Sequence, residues 1–378
     1  MSLRAGLVRA RRAGLTLIEL VLALGLLALL SMMVVQVLDS TLRVWGSAEG
    51  QRYAIGTHAT LSSQVLGELD QLAGGERGDL VIDWEIFDAD GDQVATRPLP
   101  RVRFVRRATA ADLVRLGQRE VDPSQPDTAR IEGGELPLVE VVYCVLPRAL
   151  DGLDEEGVLA DTMPGQAGDA VLWRGERLLD DRTRPSAFAD DFFLNGFPPP
   201  GSAEPVHDRI LWFELLCAGR GTRLDRGWKV GTEPTDAVRA WDARGAGRLD
   251  AQLHPFNRAY AALPAYRGEP LFPRRIRLVL EVEAPADAKR RATLAAALAP
   301  EDTEMVVRQP QHLPPAGSLV LLGEEWIKIS RPMGTRVRIE RGQRGTGPRP
   351  QRAGTPLQVG RRFEREIQVP LFREDWRR

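Results

Sequence analysis

Arg11-Arg12-Ala13-Gly14-Leu15-Thr16-Leu17-Ile18-Glu19-Leu20 opens an apolar run that continues through Leu38, and its reading decides what the rest of the chain is attached to. Thr16, Glu19, Gly25, Ser31 and Gln36 are its softer positions. A helix rises about 1.5 Å per residue, so about 20 apolar residues cross the hydrocarbon core of a bilayer. This run is long enough. Upstream, Met1 to Gly14 holds Arg4, Arg9, Arg11 and Arg12 and no acid. Such a basic flank stays cytoplasmic and sends the downstream chain across the membrane.

Three readings compete for the segment. A secretory signal peptide has an apolar region of about 7–15 residues ending at a small-residue cleavage site; here the run is longer and no clear site comes after it. A plain anchor explains the length and the arginines but not a carboxylate five residues after Gly14. The stretch Arg11 to Glu19 closely resembles the cleavage and methylation motif of type IV prepilins. The family's usual residue after the glycine is phenylalanine, and here it is Leu15. The resemblance implies a leader peptide over 1–14, cut after Gly14 by a prepilin peptidase, with Leu15 as the N-methylated new N-terminus. It also implies a single-pass protein of the inner membrane, N-terminus cytoplasmic before processing and head periplasmic. Removing four arginines makes the mature chain more acidic.

Glu19 is the costly residue of this segment, because an ionisable group in a membrane helix is disfavoured without a partner. It has three readings: hydration at headgroup level, stabilisation by the helix dipole in the first turn, or a role in assembly. In the third, Glu19 pairs with the cationic N-terminus of a neighbouring subunit and sets the axial register, since an unpaired carboxylate in hydrocarbon is strongly disfavoured.

No proline occurs before Pro98. Leu61, Val65, Leu66, Leu69 and Leu72 recur at three- and four-residue spacing, one apolar face of an amphipathic helix. Gly46, Gly50 and Gly56 weaken the middle by about 1 kcal/mol each relative to alanine. One helix is therefore expected over 15–74, membrane-spanning over about 15–38, bent near Gly46–Gly56 and ending at Gly74-Gly75.

Beyond Gly75 the pattern turns to short β-branched runs: Leu80–Phe87, Arg101–Arg106, Leu138–Leu146, Val171-Leu172-Trp173 before a charged turn, Ile210–Leu216, Ile276–Glu283 and Phe363–Val369. Asp181–Pro205 and Gly231–Pro270 read as long loops. The order of these pieces resembles the GspJ minor pseudopilins of type II secretion. The match lies in the membrane exit Val37 to Arg43, the strand ending near Tyr143, Leu172-Trp173-Arg174, the strand with Phe213, Trp228 after a glycine-rich turn, and Phe272 to Leu278. This chain is long for that family. Part of the excess is 292–360, with strand signals at Glu304–Arg308, Ser318–Leu322, Glu325–Ser330 and Val337–Glu340. It reads as a small β module inserted in a hairpin, or as an elaborated edge of the main sheet.

The expected fold class is thus α+β: a long N-terminal membrane-spanning helix packed on a β-rich periplasmic head over 75–291 and 361–378, pilin-like, with a small inserted all-β module. The resemblance implies a structural minor pseudopilin rather than an enzyme. Its implied partners are the prepilin peptidase, other minor pseudopilins, the major pseudopilin, the inner membrane and secreted cargo. A minor pilin of a type IV pilus, or a membrane-anchored binding or enzymatic domain with a prepilin leader, are the alternatives.

Other chemistry finds little support. The net charge of -1 gives no field for nucleic acid. Arginines dominate the cations, with lysine only at 229, 289 and 328; the arginines of Arg101–Arg107 read as the solvent face of a strand. Asp88, Asp90 and Asp92 match the first half of a calcium loop, but Leu99 stands where its bidentate glutamate belongs, so a solvated hairpin turn competes. His58, His207, His254 and His312 form no HxxxH or HExxH. A His207-Asp208 dyad at a strand's start lacks a nucleophile elbow. Gly342–Gly347 (GQRGTG) lacks the phosphate-loop lysine and reads as a turn. Cys144 and Cys217 lie in apolar runs, either joined in a disulfide or buried as thiols. No cofactor and no metal is expected.

Overall fold

The computed structural model describes residues 17–73, 79–87, 97–116, 137–147, 170–189, 192, 198–199, 201–219, 222, 227–230, 237–243 and 272–369. It divides into two compact units, Met1–Gly50 and Gln51–Arg378.

Helix α1 (Leu17–Leu69) runs unbroken for 53 residues. Its glycines cost helical propensity, but no break separates Gly46 from Gly56, and it ends five residues before Gly74, which lies outside the described residues. Every large apolar side chain from Leu17 to Leu38 is exposed, and the helix is long and apolar enough to cross a membrane. In the second unit, Leu61, Val65, Leu66 and Leu69 are buried, as their spacing predicts. Past the helix the chain is stitched to a strand: Ala73 N–H donates to Val105 O at 3.0 Å and Arg107 N–H to Gln71 O at 3.1 Å.

The first sheet is an antiparallel meander of β1 (Leu80–Phe87), β2 (Arg97–Arg107), β3 (Leu138–Pro147), β4 (Ala170–Leu178) and β5 (Ala203–His207). A short helix α2 (Ala110–Arg115) comes after β2. The second sheet contains β6 (Ile210–Ala218); β7 (Trp241–Asp242) instead flanks β1 of the first. The runs at Leu80–Phe87 and Ile210–Leu216 form strands as expected. Leu172-Trp173 differs, because β4 continues through Arg174-Gly175-Glu176-Arg177, the expected charged turn. Those charges stay in the strand because buried partners receive them. Asp181–Pro205 is likewise not loop throughout, since β5 begins at Ala203.

β6 lies at one edge of the second sheet, β8 (Arg275–Val282) in the middle and β15 (Arg361–Gln368) at the other edge. All nine residues of β6 are buried, which requires cover on both faces and explains its nearly continuous apolar sequence. Ile210, Phe213 and Leu215 join the core containing α1 and the meander, whereas Leu211, Trp212 and Leu216 join a second cluster with Trp84, Val279, Leu321 and Trp326.

Between β8 and β15 lie α3 (Pro285–Ala288), β9 (Thr293–Leu294), β10 (Glu304–Arg308), a 3-10 turn at Pro310–His312, β11 (Leu319–Leu322), β12 (Glu325–Met333), β13 (Arg336–Gln343) and β14 (Leu357–Gln358). Sheet order is β14-β11-β12-β13-β10-β9. The two ends then meet: Leu294 N–H donates to Thr355 O at 2.9 Å, Leu357 N–H to Ala292 O at 2.8 Å, and Thr293 bridges Pro356. Six strands thereby close into a small barrel, which removes the open edges of a sheet. Its interior holds Leu294, Met305, Val307, Val320, Leu322, Ile327, Ile329, Val337, Ile339 and Leu357. The barrel belongs to the same compact unit as the other sheets.

Arg344 keys the barrel to the second sheet. Its guanidinium lies 3.9 Å from the Trp326 ring centre and 4.6 Å from that of Trp212, and it pairs with Glu281 of β8 at 2.6 Å. Burial pushes its pKa down against the pull of Glu281. Gly360, beside this pair, approaches so closely that an added Cβ would collide with Glu281 Cγ. The stretch 342–347 is only partly the expected turn: Gly342 and Gln343 end β13, and the turn is made by Arg344 at φ 51° and Gly345 at φ 75°.

Candidate functional site

Of the residues expected to act in processing and assembly, Gly14 and Leu15 lie outside the described residues. Glu19 lies in the first turn of α1 and is exposed. What the structure adds is the device that holds the far end of the helix. Glu68, one residue before the end of the apolar stripe on α1, faces the meander. Arg174 of β4 donates to Glu68 Oε1 at 2.7 Å and to Glu176 Oε2 at 2.7 Å, and the Tyr143 hydroxyl donates to Glu68 Oε2 at 3.0 Å. Arg106 of β2 meets Asp112 of α2 at 2.6 Å, and Arg115 bridges Asp112 at 2.7 Å and Glu176 at 2.5 Å. Arg106 Nη2 stands 3.8 Å from both Glu68 and Glu176.

Three cations and three anions thus join α1, β2, α2 and β4. Arg106 and Arg174 are 2% and 3% exposed, so water contributes almost nothing to their solvation and the carboxylates must replace it. Burial opposes the charge on Asp112, but hydrogen bonds from Arg106 and from the Thr109 amide and hydroxyl outweigh it and hold its pKa below the ordinary carboxylate range. Burial works against the charge of Arg174 as well; Glu68 and Glu176 overcome it and raise its pKa. The Tyr143 phenol is pushed up, first by burial and then by Glu68, and keeps its proton. The network holds charges in place and offers no activated nucleophile.

The arginines of β2 depart from the expected solvent face. Arg103 and Arg106 are buried, and Arg101 and Arg103 both donate to Asp83 on β1, each at 2.6 Å. Arg101 and Arg103 share one face of β2 and Arg106 lies on the other, so no single solvent face holds them, and Arg107 at the strand's end is exposed. On β3 and β4, Glu140 receives Arg177 at 2.7 Å and Ser186 Oγ at 2.9 Å, tying down the segment after β4.

The remaining candidates resolve simply. His207 closes β5 rather than opening a strand. Its Nδ1 lies 2.6 Å from the Asp208 backbone oxygen and 3.9 Å from the Asp208 carboxylate, and its Nε2 lies 3.0 Å from Thr57 Oγ1 on α1. The dyad geometry is therefore not formed, and His207 contacts the helix. Cys144 and Cys217 are not joined in a disulfide; both are buried in the main core, and burial pushes the Cys217 thiol up. Asp88, Asp90, Asp92 and His254 lie outside the described residues. Among the described residues no group of three His, Cys, Asp or Glu side chains is placed to hold a metal ion.

No family model, no curated protein and no solved structure matches the chain. Sequence reasoning missed the Glu68 network because its members are far apart in the chain; Glu68 and Arg174 are separated by 106 positions. One signal was present. Tyr143 sits within the apolar run of β3, and a buried phenol needs a polar partner.

Proposed function

We propose that the protein is a structural minor pseudopilin of a type II secretion system, GspJ-like, acting at or near the tip of a periplasmic pseudopilus. The observation that carries this reading is the prepilin-like stretch Arg11 to Glu19 leading directly into a helix that exposes every large apolar side chain through Leu38. A prepilin peptidase cuts after Gly14, the anchor stays in the inner membrane, and Glu19 pairs with the N-terminus of a neighbouring pseudopilin as the helix enters the filament. The buried network around Glu68 fits this role, because force applied along the helix must pass into the head without pulling the two apart. The head then meets sister minor pseudopilins and secreted cargo.

N-terminal sequencing of the protein expressed with and without the peptidase tests the reading. A chain beginning at methylated Leu15 only in the peptidase's presence is expected. A chain still beginning at Met1, or one beginning after Leu38, overturns it. Replacing Glu19 by alanine is expected to abolish co-assembly while leaving cleavage intact, and normal filament entry of that variant would remove the pairing role.

A further inference from the structure

The outer face of the barrel carries a charge pattern that the fold itself does not explain. Arg331 on β12 stands directly opposite Arg338 on β13, and Met333 opposite Arg336. On the other side of β13, β10 places Val306 opposite Arg336 and Glu304 opposite Arg338. Arg308, Arg331, Arg336 and Arg338 are all exposed, and none has an ion-pair or hydrogen-bond partner among the described residues. Like charges directly opposed across a strand pair are destabilising. Among the described residues, β10 and β13 bring two acids alongside. Glu304 faces Arg338 without closing an ion pair, and Glu340 is occupied by Lys328 at 3.1 Å and Ser330 at 2.9 Å.

The hairpin joining β12 and β13 sharpens the pattern. Arg331-Pro332-Met333-Gly334-Thr335-Arg336 are six consecutive exposed residues without an acid. Gly334, at φ 67°, makes the two-residue turn, so the tip is narrow and convex. At the tip Met333 is 45% exposed, and Val306 beside Arg336 is 38% exposed.

We propose that this face docks on an anionic phospholipid surface, with the arginines on headgroup phosphates and Met333 in the interface. The inference rests on the reading of the chain as membrane-anchored, which makes lipid the surface always at hand. Apolar side chains ringed by arginine are the two signals that interfacial binding needs together. A narrow tip can enter a deformable headgroup layer, which needs no preformed complementary pocket. An acidic polypeptide is the competing occupant.

The test uses the full chain held in zwitterionic nanodiscs and challenged with sedimentable vesicles, one set of phosphatidylcholine and one of one-third phosphatidylglycerol. Expected is co-sedimentation with the anionic vesicles alone, reversed by about 0.5 M salt. Replacing Arg331, Arg336 and Arg338 by glutamine is expected to weaken it about 100-fold, about fivefold for each charge lost. Met333→Ser is expected to weaken it about threefold. Equal binding to both vesicle types, unchanged binding of the triple variant, or displacement by polyglutamate at equal charge but not by soluble phosphatidylglycerol headgroup overturns the proposal. A chain that fails to enter nanodiscs at all removes the membrane reading and this inference with it; a chain that enters them yet ignores anionic vesicles removes this inference alone.

Discussion

Helix α1 is apolar at both ends for opposite reasons. Between Leu17 and Leu38 every large apolar side chain is exposed, whereas between Leu61 and Leu69 a narrow stripe is buried and the flanking Glu68 is held by Arg174. A helix apolar all round asks for a lipid solvent, and a striped one asks for a protein surface. The same residue type therefore has different worth at the two ends, and substitutions at each should move different observables.

The largest effect is expected at the striped end. Arg174→Met strips Glu68 and Glu176 of the cation that hydrogen-bonds both and leaves half-buried Glu68 with Tyr143 and the more distant Arg106, a loss of about 3–5 kcal/mol. Urea denaturation of the full chain in detergent should show it; a midpoint unchanged from the parent would mean the network is loosely solvated. Leu69→Ala should cost about 3 kcal/mol by the same measurement, while Leu27→Ala should leave the midpoint unmoved. Equal shifts from these two would erase the contrast. Leu27→Arg is expected to cost about 2.5–3.5 kcal/mol of membrane insertion, read as release of the protein by carbonate extraction, with head stability unaffected.

The smallest effect concerns pH. His58 stacks on Phe363 of β15, 4.9 Å between ring centres. Burial, and then Arg365, push its pKa down. A folded pKa below the unfolded one means the contribution is whole above about pH 6.5 and is lost as pH falls from there. Asp112, whose pKa is also depressed, loses its contribution in a separate and lower window, as pH falls through the ordinary carboxylate range. His58→Gln should flatten the upper slope and leave the lower one. If it flattened neither, the stacked imidazole would not be the titrating group.

Much of the architecture could be read from period and composition, because burial in a strand or stripe leaves a local trace. The strand at Glu304–Arg308 alternates apolar and polar residues and is found with those bounds. Val171-Leu172-Trp173 was harder, since Arg174 to Arg177 look like a turn until Glu68 and Glu140 arrive from elsewhere in the chain. The closure of β9 on β14 was equally hidden: it rests on backbone bonds, and backbone bonds leave little mark on side-chain choice. The sequence marks a site only at the N-terminus, where Gly14 and Leu15 lie outside the described residues and Glu19 is an exposed carboxylate in the first turn of an apolar helix.

The position of the barrel between two mated strands has a consequence for synthesis. β8 and β15 pair along their whole length, yet every residue of the barrel leaves the ribosome before β15 does. The barrel's contacts are local, so it can close while β8 still waits with one edge bare. β15 therefore acts as a clasp that fastens only once the barrel before it has been made. A chain whose barrel misfolds would leave the edge of β8 open to proteases, so completeness of the head becomes something the cell can inspect.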